Sequence, residues 1–403
     1  MNNFKRWGIA LAGVLLQISL GSVYAWSVFR VPLAKQFNWS ISQVTLTFTI
    51  SIMALGFAAF FGGLWLKKVG PRVVAMTGGA LYGGGIFLAS FSGQNIWWIY
   101  LTYGVIGGVG LGLAYIVPIS LLVKWFPDKR GLMTGVAVGG FGAGALITAP
   151  IATRLIHSVG VLQTFEYLGI AYLIATVSSS FFLHNPPEGY VPDGWKPAEK
   201  TQAQQSTASF TLGEALKTWQ WWALWLLLFL NTSAGISIIS QEAPMFQEFA
   251  KIDVLVAAGM VGIVSIGNAF GRVFWAWVSD FAGRRTTFAL MFIAQILLFW
   301  FLPEFHTVIS ITIIVFLILM CYGGGFGTMP AFVADYFGAA NVGAIYGLML
   351  TAWGFASAFG PLLIAHLRQV SGSFNSGLHI ISIIMAVSVI VPLLVKQPQT
   401  KVA

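Results

Sequence analysis

The 403-residue chain is poor in charge. Asp, Glu, Lys and Arg make up 8% of it, against roughly one quarter in soluble domains, while 57% is hydrophobic. That scarcity excludes a soluble globular protein. Acids are the scarcer sign, 12 against 21 Lys and Arg, and none falls in the middle of an apolar run. Glu166 and Glu242 stand near one set of run ends, Asp280 and Asp335 near the other, so an intramembrane relay of carboxylates has no evident members. The single cysteine, Cys321, allows no internal disulfide and no multi-cysteine metal site. His157, His184, His306, His366 and His379 are scattered without metal-ligand spacing. No Gly-rich run precedes a Lys-Ser or Lys-Thr pair that could cradle a phosphate. Neither a metal nor a cofactor is expected. With no nucleophile, metal cluster or paired acids at membrane depth, an enzyme is not expected either. A channel would need rings of charge or carbonyl filters, usually built by several subunits.

What the chain does have is length of apolar run. Twelve runs of about 20 residues fall near residues 7–29, 43–66, 73–92, 96–124, 131–155, 163–184, 219–241, 254–279, 286–303, 307–333, 343–367 and 374–395. As helices, each spans a hydrocarbon core of ~30 Å. Their continuity excludes a strand barrel, so the expected fold class is an all-α membrane protein of twelve transmembrane helices. The net charge of +9 reads as topology rather than as nucleic-acid binding. With the N-terminus inside, most of the Lys and Arg residues, including Lys67, Lys68, Arg72, Lys129, Arg130, Arg284 and Arg285, fall in inside segments, which puts both termini in the cytoplasm. The basic start and the small residues near Ala25 resemble a secretory signal. Cleavage there would leave an odd number of spans and destroy the repeat described next.

The long polar stretch, Asn185 to Lys217, is rich in Pro, Gln, Ser and Thr and reads as a cytoplasmic linker, with a short interfacial helix expected over 211–217. It separates residues 1–184 from residues 219–403, two six-helix halves that repeat at an offset of about 212 residues. Gly108, Gly110, Gly112 and Pro118 match Gly323 to Gly327 and Pro330. Gly131, Gly135 and Gly142 match Gly343, Gly347 and Gly354. The loop at Gly63 to Arg72 matches Trp275 to Arg285. Duplicated halves with a site at their interface are a transporter plan.

One positive charge stands inside an otherwise apolar span: Arg272, in VGIVSIGNAFGRVFWAWVSD at Val261 to Asp280. The nearest polar border on its C-terminal side, Asp280, is ~12 Å away along a helix, beyond the reach of the side chain. A guanidinium in hydrocarbon costs from ~3 to over ~10 kcal/mol. Something must offset that cost, either a structural counter-charge in the bundle or a water-filled cavity where the arginine meets an anion. Asn268 lies four residues earlier, on the same helix face. It offers an amide beside the fork with which Arg binds a carboxylate.

The paired loops, with Asp280, Gly283, Arg284 and Arg285 in good order and Lys67, Lys68, Gly70 and Arg72 in degenerate form, resemble the loop motif of the major facilitator superfamily. Within it, GSVYAWSVF at Gly21 to Phe29, VKWFPDKRGLMTG at Val123 to Gly135 and IGNAFGRVFWAWVSD at Ile266 to Asp280 resemble the oxalate/formate antiporter family and its pyruvate and bacterial monocarboxylate relatives. The resemblance implies a secondary transporter working by alternating access and, for a small monocarboxylate such as lactate or pyruvate, most simply a proton symporter, with carboxylate exchange as the alternative. It also implies a monomeric chain in the cell inner membrane, with a monocarboxylate anion, a proton and the lipid bilayer as partners. Tyr24 and Tyr115 lie where the oxalate-transporter-like sequences carry site tyrosines. Tyr322 and Phe326 align with an aromatic pair, and Phe141 replaces a tyrosine. Trp353 stands where the oxalate carrier has a second cation, which argues for one carboxylate rather than two. Asn268 replaces the aspartate that precedes the arginine in monocarboxylate transporters. Asp280, Arg284 and Arg285 are expected to form a cytoplasmic latch.

Overall fold

The computed structural model describes residues 3–192, 210–252 and 254–398. Among them, regular structure is helical throughout, with no strand. Most of the polar linker, residues 193–209, lies outside the described residues.

Among the described residues twelve helical spans follow one another. The first is Asn3–Leu20, a 3-10 turn at Gly21–Ala25, and Trp26–Phe37. The second and third form one element, Ile41–Ala89, kinked at Gly70. The fourth comprises Ile96–Ile99, a π-helical stretch at Tyr100–Gly107, and Gly108–Trp125. Arg130–Val159 and Val161–Ser180 are the fifth and sixth. After the short helix Leu212–Leu216 come Trp219–Ala250, Val254–Ala282, Arg284–Phe301 and Val308–Phe337, the seventh to tenth. Val342–Met349 with Thr351–Ser371 makes the eleventh, and Asn375–Ser388 with Ile390–Leu394 the twelfth. Large apolar side chains such as Phe61, Ile174, Phe281, Ile309 and Leu362 point outward and exposed. A bundle whose backbone polar groups are satisfied within helices presents such a surface to lipid.

Two backbone features carry the internal repeat into three dimensions. Gly70 (φ 82°, ψ 169°) and Gly283 (φ 81°, ψ 151°) hold the matched loops in the same conformation, one that side chains larger than hydrogen rarely adopt. Near residue 212 the expected short helix forms because Thr211 and Glu214 make a reciprocal capping box. The Glu214 carboxylate accepts the backbone N–H of Thr211, which holds its pKa below the ordinary carboxylate value.

The eighth span is wedged between the fifth and tenth. A Cβ on Gly327 would strike the backbone carbonyl of Arg272, and one on Gly323 the carbonyl of Asn268. Missing side chains on the tenth span therefore let it close on the helix that carries the buried cation. The seventh span runs to Ala250, past its expected end near residue 241. Glu242, read from sequence as lying near a run end, is thus an internal helical residue and is buried.

Candidate functional site

Arg272 is fully buried, with 0% of its surface exposed. Its Nε donates to Asn268 Oδ1 at 3.1 Å, Nη1 to the Val138 carbonyl at 3.2 Å, and Nη2 to the Tyr24 hydroxyl at 3.3 Å. All three acceptors are neutral, and among the described residues no carboxylate pairs with this arginine. A guanidinium has five N–H donors, so one remains on each terminal nitrogen. The rings of Phe141 and Phe326 lie over it at 5.5 and 5.0 Å from its central carbon, a cation–π setting that offsets part of the lost hydration.

Around this centre the structure brings together residues from both halves. The Tyr24 and Tyr322 hydroxyls are 3.4 Å apart. Trp353 packs against Phe326 at 4.7 Å and against Tyr115 and Phe141 at 6.0 Å. Tyr115 and Tyr346 set their hydroxyls near each other and near the guanidinium. Neither hydroxyl, nor the indole N–H of Trp353, has a partner in hydrogen-bond geometry. Buried polar groups left in this way are costly unless something else satisfies them. Phe141 and Phe326 close on the cation and Trp353 closes on both rings, and none of the three lines the cavity.

The cavity itself, about 180 Å³, opens between the halves at the end away from the termini. Tyr24 and Asn268, two of the three groups that bond to Arg272, line it, together with Arg30 and Glu242. The opposite end is shut by polar contacts. Asp280 accepts the backbone N–H groups of Gly131 at 3.1 Å and Leu132 at 3.0 Å, at the start of the fifth span, and pairs with Arg284 at 2.8 Å. Asp335 of the tenth span takes Arg130 at 3.4 Å and Arg284 at 2.9 Å, and Lys67 donates to Asn341 at 3.0 Å. A carboxylate on the exposed amides of a helix N-terminus is a favourable contact in charge as well as geometry. Arg285 turns elsewhere: it donates to the Pro392 and Leu393 carbonyls of the twelfth span, inside its own half.

The sequence pattern of the Major Facilitator Superfamily matches residues 9–361, with a second match over 256–402. The chain belongs to this superfamily. It is a membrane transporter and not an enzyme. The oxalate:formate antiporter of Oxalobacter formigenes is 29% identical over 364 residues, covering 88% of this chain and 83% of that protein. The apicoplast pyruvate carrier 1 of Toxoplasma gondii is 25% identical over 447 residues, covering 86% and 81%. Among solved structures, the facilitator FucP in its outward conformation superposes with a TM-score of 0.75 at 14% identity, covering 97% of this chain and 99% of that one.

Three groups that meet Arg272 or line the cavity escape a sequence reading. Tyr346 precedes Trp353 by seven residues, two helical turns, and so shares its face; that spacing could have flagged it. The Val138 carbonyl leaves no mark in sequence because any residue supplies one. Glu242 is concealed by the polar pair Gln241-Glu242, which imitates the end of a span.

Proposed function

We propose that this facilitator is a secondary active transporter of small monocarboxylates of the lactate and pyruvate class, working by alternating access around Arg272. The observation that carries the reading is a fully buried guanidinium held only by neutral acceptors. Such a charge is stabilised by an anion, and a carboxylate can accept the one N–H left on each terminal nitrogen. A carboxylate reaching the cavity floor meets Tyr24 and Asn268 first. The Asn268 carbonyl oxygen is committed to Arg272, which leaves its NH2 to donate to the ligand, and the Tyr24 hydroxyl can exchange its bond to Arg272 for one to the anion. One cation suits one carboxylate, and Trp353 occupies the place where a second cation would serve a dicarboxylate. The relatives that transport oxalate and formate, or pyruvate, support the carboxylate class.

Residues 1–184 and 219–403 are then the two moving bodies, joined by the linker. The cavity faces the outside of the cell in the conformation described, and Asp280, Arg284 and Arg130 latch the cytoplasmic side. Coupling to an inward proton gradient fits a lactate-like substrate, because an anion moving with a proton leaves the charge of the loaded site balanced. The test is radiolabelled lactate uptake into proteoliposomes, with and without an imposed proton gradient and in competition with pyruvate, formate, acetate and oxalate. Gradient-driven uptake into empty vesicles, inhibited by pyruvate and not by oxalate, is expected. Uptake that needs preloaded carboxylate and ignores the gradient would replace symport with exchange.

A further inference from the structure

Among the described residues lining the cavity, Glu242 supplies the carboxylate and Arg30 the cation. Glu242 is 3% exposed, and its Oε1 has no hydrogen-bond partner. Four other acids near span ends are engaged. Glu248, on the same helix, pairs with Arg368 at 3.0 Å and accepts the Phe374 backbone N–H at 3.2 Å. Asp128 is held by Arg6, and Asp280 and Asp335 by the latch.

The elements packed around Glu242 bring it no counter-charge. Across the cavity the first span offers Tyr24 and Arg30, and Arg30 is outside ion-pair distance. Arg272, on the eighth span, lies behind the floor formed by Tyr24 and Asn268. On the eleventh span His366 is exposed and Arg368 is taken by Glu248. His379 of the twelfth packs against Trp300, ring centres 4.6 Å apart. Lys251, at the end of the same helix, is exposed. The second and tenth spans contribute no ionisable group to the cavity lining.

We propose that Glu242 is the proton-binding site of this transporter, protonated when an anion occupies the cavity and deprotonated when the other end opens. The proposal rests on the monocarboxylate reading above and supplies the acid that reading lacks. An ionised carboxylate buried without a cation, with one of its oxygens unpartnered, is poorly held, whereas the neutral acid is tolerated. A substrate anion entering so small a cavity would stand close to Glu242, and two negative charges there repel. Taking up one proton from the outside medium removes the repulsion, so that one anion and one proton cross together. The proton moves onto a Glu242 carboxylate oxygen and leaves from it, and no other bond changes.

The test is lactate binding to the purified full-length protein, followed by calorimetry from about pH 5.5 to about pH 8.5. Lactate, whose α-carboxyl group is acidic, stays ionised throughout that range. Wild-type affinity should weaken as pH rises, approaching about tenfold per pH unit once Glu242 is ionised in the free protein, as expected for one linked proton. Glu242→Gln, fixed in the neutral form, should bind with a flat profile near the wild-type low-pH affinity, and its gradient-driven accumulation should be lost. A flat wild-type profile would overturn the proposal, as would a Glu242→Gln variant that keeps the wild-type slope. If Glu242→Gln does not bind, Glu242→Asp must bind with a displaced profile, and failure of both variants also overturns it. Absence of lactate and pyruvate binding by wild type at every pH would instead sink the monocarboxylate reading itself.

Discussion

Asn268 leaves Arg272 available. Its Oδ1 already lies 3.1 Å from the arginine Nε, so an aspartate in its place would form an ion pair there without any rearrangement. Asn268→Asp should therefore neutralise the guanidinium from within. Because hydrogen bonds between charged groups are the strong ones, it should weaken lactate binding by about one to two orders of magnitude, the equivalent of ~1.5–3 kcal/mol. Calorimetry on folded protein measures this directly, and unchanged affinity would count against the counter-charge argument. Trp353 sets the complementary limit. Wild type should exchange oxalate poorly, and Trp353→Lys should raise oxalate relative to lactate uptake in a competition assay. At this scale the sequence is informative where chemistry lies in side chains at helical spacing, as with Asn268, Arg272 and Trp353. It is silent where a backbone carbonyl does the holding, as Val138 does, or where distant spans meet, as when Tyr24 finds Tyr322.

The decisive element is the eighth span, squeezed by glycines on two neighbours. Gly135 of the fifth span faces the Arg272 carbonyl from one side and Gly327 of the tenth from the other. Gly327→Ala would push a methyl group into that carbonyl. Overpacking of this kind costs about 1–3 kcal/mol, so a lower melting temperature is expected, together with weaker lactate binding as the guanidinium shifts. Calorimetric melting and binding of the same sample would separate the two effects. Close helix approach at the glycines of the fifth span is readable from their spacing. Which helix approaches is not readable, because partner choice is made in three dimensions. The end of the seventh span misleads for a related reason. Gln241 and Glu242 look like a solvated boundary, yet the helix continues to Ala250 and turns the acid into the gap between the halves.

Across the whole molecule, one end is latched and the other open. The number of spans and the repeated loops were legible because they depend on run length and on glycine, which each half carries in its own sequence. The latch was legible only in part. Asp280 and Arg284 stand in a recognisable motif, but their partners Gly131, Leu132 and Asp335 come from other spans, and Arg285 leaves the group altogether. Asp280→Asn removes the charge from the contact with the fifth-span amides and from the pair with Arg284, so the latched end should open more often. Ser120 is buried at that end beside Gly343. A Ser120→Cys variant, with Cys321 replaced by alanine, should react with a water-soluble maleimide several-fold faster when Asp280→Asn is added. Equal rates would show that the latch does not hold the conformation.

The account depends most on Arg272 as the seat of the substrate carboxylate, and the comparison of wild type with Arg272→Lys tests this most directly. Lysine keeps the charge but replaces the planar fork with a compact ammonium, so a purely structural need for a cation and a need for bidentate carboxylate recognition give different results. In calorimetry with purified, thermally stable protein, the account predicts that wild type binds lactate and that Arg272→Lys loses binding by at least about a hundredfold, the value of a charge-assisted pair of bonds. Wild-type affinity for lactate in a folded Arg272→Lys or Arg272→Ala variant would contradict it.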